Sequence, residues 1–153
     1  ALPHASPGET RIIDNGPVLI DVGARLRDYN SDQTRTFWVG DKPSPEFTRT
    51  MDQVREAQSR AIAGIRPDIA CSEVYALARN YLDEQGVGEF FTHGLGHGVG
   101  LQTHEAPSLG PRSRQTLAPG MIVTVEPGLY YPEWGGIRWE YMILVTEDGC
   151  RVL

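Results

Sequence analysis

Residues 44–86, SPEFTRTMDQVREAQSRAIAGIRPDIACSEVYALARNYLDEQG, decide how the chain is organised. Ser44, Pro45 and Glu46 offer an N-cap, a first-turn proline and an acidic first turn, which together start a helix. Phe47, Met51, Val54, Ala57, Ala61 and Ile65 then recur every three or four residues, the period of one helix face. Pro67 ends that helix at Arg66, because proline lacks an N–H and crowds the residue before it. A second stripe of Val74, Leu77, Ala78, Tyr81 and Leu82 predicts another helix, starting near Ser72 and stopped by Gly86. So short a link makes the two helices antiparallel neighbours, which should cover one face of a sheet.

The flanks supply that sheet. Residues 1–15 are polar and turn-rich, without an amphipathic period. Val18–Asp21 and Thr36–Val39, closed by Gly23 and Gly40, read as antiparallel strands. Beyond the helices come FFTHGLGHGVGL at 90–101, then Met121–Val125 and Ile137–Thr146. Strands in 1–40, a helix pair in 44–86 and strands in 87–153 make an α+β domain spanning 1–153. An internal echo runs through it: Gly16 opens an apolar run ending in Asp21-Val22-Gly23, and Gly120 opens one ending in Glu126-Pro127-Gly128. A second acid follows each, Asp32 and Glu140, so we expect two related hairpins presenting two carboxylates apiece. If each half owns covering helices, the first half lacks its own. The domain is then N-terminally incomplete, with a bare apolar face that favours a homo-oligomer.

Composition narrows the function. With 14 Lys+Arg against 20 Asp+Glu the formal charge is -6, which argues against nucleic acid or an anionic membrane as partner. There is no run of 18 apolar residues and no signal segment at Ala1. Cys71 and Cys150 are too few for a disulfide framework and lack C-x-x-C spacing, which points to a reducing, cytoplasmic setting.

Strand parity puts Leu19 with Asp21 on one face and Glu126 with Thr124 and Ile122 on another. Acids flanked by Val, Ile and Leu should be partly buried, which is costly without a compensating cation or hydrogen bonds. A strand-end carboxylate taking backbone N–H bonds is the plainer explanation for any one of them, and four in matched hairpins weaken it. Arg138 and Glu140 share a face and could simply pair. His93, His97 and His104 fall in HGLGHGVGLQTHE, at 93–105, leaving only His4 elsewhere. Gly94, Gly96, Gly98 and Gly100 make a helix implausible there, so His93 and His97 should share one face of an extended chain. Val99 breaks the dinucleotide G-x-G-x-x-G pattern. Imidazole with carboxylates is a hard donor set, and more than three carboxylates are too many for one ion. A pair of divalent ions supporting hydrolysis fits best.

The runs PHASPGE, LIDVGARLRDYNSDQTRTF, HGLGHGVGLQTHEAP, LAPGMIVTVEPGLYY and GGIRWEYMILVT resemble the catalytic domain of the pita-bread metallopeptidases, nearest to Xaa-Pro aminopeptidases and Xaa-Pro dipeptidases (prolidases). The resemblance covers essentially the whole chain. It implies Asp21 and Asp32 as the first two metal ligands, His97 and Glu126 as ligands of the other ion, and Glu140 as a second bridge beside Asp32. It implies His4 and His104 as substrate-contacting histidines, His93 as the neighbour of the ligand histidine, and Glu126 as an aid to proton transfer. Two manganese or cobalt ions, with zinc as a further option, and a bridging hydroxide would then cleave the bond preceding proline. Arg138 separates this branch from the methionine aminopeptidases, which share the five ligands, and it could orient Glu140. The alternatives are a methionine aminopeptidase-like enzyme and, since non-catalytic relatives also use the fold, a non-catalytic or incomplete binding protein. The family usually has an acid after the last ligand; Tyr141 stands there, which should alter the surroundings of Glu140.

Overall fold

The computed structural model describes residues 3, 4, 6 and 8–153, and the other four positions of the predicted N-terminal segment lie outside the described residues. Strand β1 (Gly16–Val22) leads into a small ladder of β2 (Arg25–Leu26) and β3 (Tyr29–Asn30), and β4 (Gln33–Val39) returns antiparallel to β1 with Asp21 opposite Thr34. Helices α1 (Pro45–Gly64) and α2 (Cys71–Glu84) follow, then one 3-10 turn at Gly88–Phe90. The remaining strands are β5 (Gly96–Gly98), β6 (Glu105–Leu109), β7 (Ile122–Val125), β8 (Gly128–Tyr131), β9 (Gly135–Arg138), β10 (Tyr141–Val145) and β11 (Cys150–Val152). Five of them form an antiparallel sheet in the order β11-β10-β7-β5-β6, while β8 and β9 form a separate hairpin.

Helix α1 begins as its sequence demands, with Ser44 Oγ accepting from the Phe47 N–H at 3.1 Å. Its buried face of Phe47, Val54, Ala57 and Ala61 shares a core with Leu95, just before β5, and with Leu109, Val123, Val125, Ile143 and Val145 of the large sheet. Each fully buried aliphatic side chain there contributes about 1.5–3 kcal/mol. Helix α2 starts at Cys71, and its buried stripe is Cys71, Val74, Tyr75, Ala78 and Leu82. Leu77, predicted for that stripe, is 39% exposed. The reason is that α2 packs on β6 as well as on α1. Leu77 is left to close the helix–helix edge at Gly64, where any Cβ would overlap its Cδ1.

The predicted single strand over Ile137–Thr146 is two strands in different sheets. β9 pairs with β8 and β10 with β7, because Trp139 and Glu140 leave both ladders and the Glu140 N–H turns to Thr34 O, at 3.2 Å. This break exposes the logic of the echo. Asp21 and Asp32 flank the Val22–Gln33 pair that ends the β1–β4 ladder, and Glu126 and Glu140 flank the Val125–Tyr141 pair that ends the β7–β10 ladder. Along β4, Thr34 and Thr36 point inward and are buried. On the opposite face Ile20, Val22 and Phe37 remain 48–60% exposed, so that face is uncovered among the described residues. No helix among the described residues is long and apolar enough to cross a membrane.

Candidate active site

The two ladder ends open into one cavity of about 320 Å³ lined by Asp21, Asp32, His97, Glu126 and Glu140, together with His4 and His104. Two groups of donor atoms stand within 4.8 Å of one another: Asp32, His97 and His104 in one, Asp21, Asp32 and Glu140 in the other. Asp32 alone belongs to both. Glu126 meets His97 Nε2 at 3.2 Å and accepts the Thr124 hydroxyl at 2.9 Å. The His104 ring lies against the His97 ring, centroids 4.0 Å apart.

His97 is delivered by a strand of only three residues, and its glycine neighbours explain how. A Cβ at Gly96 would overlap the Thr124 carbonyl and lie 2.8 Å from Thr124 Oγ1, and one at Gly98 would overlap the Ala106 carbonyl. Strand β5 can therefore sink between β6 and β7 only if His97 is flanked by residues without side chains. The Thr124 hydroxyl accepts from the His97 N–H at 3.0 Å and donates to Glu126, tying the two site residues together. We expect Gly96→Ala to destabilise the fold by at least about 2 kcal/mol in urea unfolding, since the clash is with backbone. Unchanged stability would show that β5 and β7 need not approach this closely.

His93 does not share the cavity with His97. The chain bends at His93 and Leu95, so the extended geometry assumed for 93–97 fails. The His93 Nε2 instead meets the Tyr130 hydroxyl at 2.9 Å, and its ring lies 6.2 Å from that of His4. Burial lowers the His93 pKa, while the Gly94 carbonyl and the Glu126 charge work against that.

Arg138, 2% exposed, is the cation of the back wall. It pairs with Asp21, donates to the Tyr130 hydroxyl and to Pro3 O at 2.8 Å each, and stands 3.8 Å from Glu126. It does not pair with Glu140 directly. Its Nε donates to Thr34 Oγ1 at 3.2 Å, and Thr34 donates to Glu140 Oε2 at 2.7 Å. The two residues share a strand face in sequence terms, but Glu140 lies beyond the end of β9, so parity does not carry across. Asp21 also departs from expectation: its side chain is 42% exposed, because it sits at the mouth of the cavity where Arg138 reaches it from below.

Tyr141 changes the surroundings of Glu140 in an identifiable way. The Arg35 guanidinium stacks over Trp139 at 4.6 Å and over Tyr141 at 4.5 Å, and donates to the Glu140 carbonyl. The two π faces compensate the half-buried Arg35 cation.

Four carboxylates crowd this cavity against few cations. Burial, then the charges of Glu126, Asp32 and Asp21, push Glu140 up to about 8 against the Thr34 hydrogen bond. Burial and the Asp21 charge also raise Asp32. Burial opposes a charge on His97 and on Glu126. Their mutual hydrogen bond wins, raising the imidazole and lowering the carboxyl. Among the described residues, the buried Oε1 of Glu140 has no hydrogen-bond partner. An orphaned carboxylate oxygen beside Asp21 and Asp32 is the donor a divalent cation would satisfy, and the oxygen and imidazole donor set suits a hard ion.

The profile of metallopeptidase family M24 matches residues 1–147. The chain belongs to metallopeptidase family M24. An Xaa-Pro dipeptidase of Pyrococcus horikoshii is 43% identical over all 153 residues, which cover 43% of that protein. The crystal structure of the prolidase from Pyrococcus horikoshii superposes with a TM-score of 0.96 at 42% identity, over 99% of this chain and 43% of that one. An X-Pro aminopeptidase from Thermotoga maritima gives 0.96 at 36% identity, over 99% and 42%. The chain thus spans less than half the length of the curated relatives it matches. The architecture is the pita-bread fold, represented by part of its domain.

Several residues of this M24 site escape the sequence reading. Thr34 is signalled only by the inward parity of β4, and Tyr130 only by its place after Glu126. Gln58 had a clearer sign, a polar residue on the apolar stripe between Ala57 and Ala61.

Proposed function

We propose that the full-length protein is a metallo-exopeptidase that hydrolyses the peptide bond preceding proline, with two divalent ions held by Asp21, Asp32, His97, Glu126 and Glu140. The observation that carries this reading is Asp32, shared by two donor groups that meet in one cavity. Manganese or cobalt suits the donors best, with zinc as the alternative. When bound, the ions supply Lewis acidity toward the scissile carbonyl and toward water.

The chain's own residues supply the rest. Glu126, hydrogen-bonded to His97 and Thr124, holds the position from which a proton can pass to the leaving nitrogen. His4 lines the cavity beside the donors, His104 lines it as a member of the Asp32–His97 donor group, and the two imidazoles orient the substrate. Arg138, Tyr130 and His93 form a hydrogen-bonded wall in which Arg138 pairs with Asp21 and holds it toward the cavity. The free thiols of Cys71 and Cys150 suit a cytoplasmic setting.

The test is a side-by-side assay of the full-length gene product, loaded with manganese or cobalt, on an Ala-Pro dipeptide, a longer Xaa-Pro peptide and a Met-Ala peptide. Cleavage before proline is expected. Preference for Met-Ala would make the protein a methionine aminopeptidase, and a metal-loaded protein that cleaves none of the three would leave a binding protein.

A further inference from the structure

We infer that Gln58 is a positioning residue: from outside the cavity, its one side-chain amide fixes the separation of Glu126 and Glu140. The inference rests on the proposed role of those glutamates as metal ligands. Gln58 is 3% exposed on the core face of α1, where the surrounding stripe is Val54, Ala57 and Ala61. An amide buried there is costly unless its hydrogens are used. Both are: Nε2 donates to Val125 O at 2.7 Å and to Trp139 O at 2.9 Å.

The identity of those two carbonyls gives the arrangement its meaning. A peptide unit is planar, so a carbonyl oxygen and the next residue's nitrogen and Cα move together. Val125 O belongs to the plane that leads into Glu126, and Trp139 O to the plane that leads into Glu140. The β7–β10 ladder ends at the Val125–Tyr141 pair, so past that point no strand pairing holds the two glutamates in register. Gln58 ties them at that point.

Other bonds fix each glutamate singly. The Glu126 N–H donates to Leu95 O at 2.8 Å and the Glu140 N–H to Thr34 O at 3.2 Å. Among the described residues, only the Gln58 amide bonds to both peptide planes. A residue serving the core alone would need no such pair of acceptors, and a leucine or methionine would fill the same volume.

The experiment compares Gln58→Met, which keeps the volume and removes the donors, with Val54→Ala, a core truncation on the same helix face at a side chain that has no donor for either carbonyl. Both are made in the full-length protein. Three quantities are read: manganese affinity, the visible spectrum of the cobalt-loaded form, and hydrogen exchange of the 123–141 segment without metal. Gln58→Met is expected to weaken manganese binding about tenfold, as loss of a group supporting a metal ligand does. It should also shift the cobalt bands and speed metal-free exchange at Glu126 and Glu140. Val54→Ala should lower the melting temperature and leave affinity and spectrum as in the parent.

Parent-like affinity and spectrum in Gln58→Met, or matching losses in Val54→Ala, would overturn the inference. If the parent itself takes up no metal, the ligand reading falls. The clamp is then decided by exchange alone, sustained by faster exchange in Gln58→Met only and refuted by equal exchange in both variants.

Discussion

Replacing Glu140 by glutamine is expected to stabilise the metal-free protein above pH 8 by on the order of 4 kcal/mol and to abolish the proposed loading with two ions. Glu140 is 1% exposed, and its folded-state pKa is pushed to about 8 from an ordinary 4.5. The folded protein therefore keeps a proton that the unfolded chain releases. For such a group stability is fully present below the unfolded value near 4.5, declines as pH rises, and levels off once the folded value of about 8 is passed. Each pH unit of that gap is worth about 1.4 kcal/mol. The raised pKa of His97 acts in the same direction, its stability being lost as pH rises through it. The depressed pKa of Glu126 acts oppositely, its share being lost only as pH falls through the folded value.

Glutamine keeps the oxygen that accepts from Thr34 and offers its NH2 to the neighbouring carboxylates, so the burial penalty disappears with the charge. Urea unfolding of chelator-treated protein across pH 5 to pH 9 checks this, with parent and variant converging at the acid end. Metal-free stability that stays flat or rises over that range in the parent, with no gain in the variant, would show that Glu140 is not held protonated. A site that weakens its own fold in order to gather carboxylates is the pattern expected of function bought with stability.

Asp32→Asn is expected to lose both ions together and to reduce Xaa-Pro hydrolysis by more than about 100-fold, since changes even to groups behind the ligands cost about 10–100-fold. The two donor groups have no other member in common, so one substitution weakens each of them. Asparagine preserves shape. Because burial and the Asp21 charge already raise the Asp32 pKa, losing this charge should leave the metal-free fold at least as stable as the parent. The signature is therefore an intact fold with no dinuclear binding, read by metal analysis after dialysis and by thermal unfolding. Asp28→Asn serves as the control: its carboxylate is 80% exposed and, among the described residues, pairs only with Arg25, so metal content and turnover should be unaffected. A variant at Asp32 that still retains two ions would dissolve the link between the groups, and with it the proposed bridging role.

The sequence by itself determined the order of elements and which acids and histidines to look for in the cavity. Helix periodicity and the Ser44 cap are local properties, and the acids and histidines stand at positions that a family pattern marks. What the linear pattern could not carry is wherever a residue's direction depends on a neighbour distant in the chain. Parity pairs Arg138 with Glu140, yet the strand breaks between them and Arg138 turns to Asp21, 117 residues away. The spacing of four sets His93 beside His97, yet glycine-permitted bends send His93 to Tyr130. Leu77 fits a helix stripe, but where α2 meets β6 selects Tyr75 instead. Only the tertiary structure decided how the two ladder ends meet, and it gave the bridging place that the resemblance implies for Asp32 a geometry, with its donor atoms in both groups. That meeting is made by packing and by hydrogen bonds such as those of Thr34 and Gln58, which link segments roughly 70 to 110 residues apart and leave no period in the sequence.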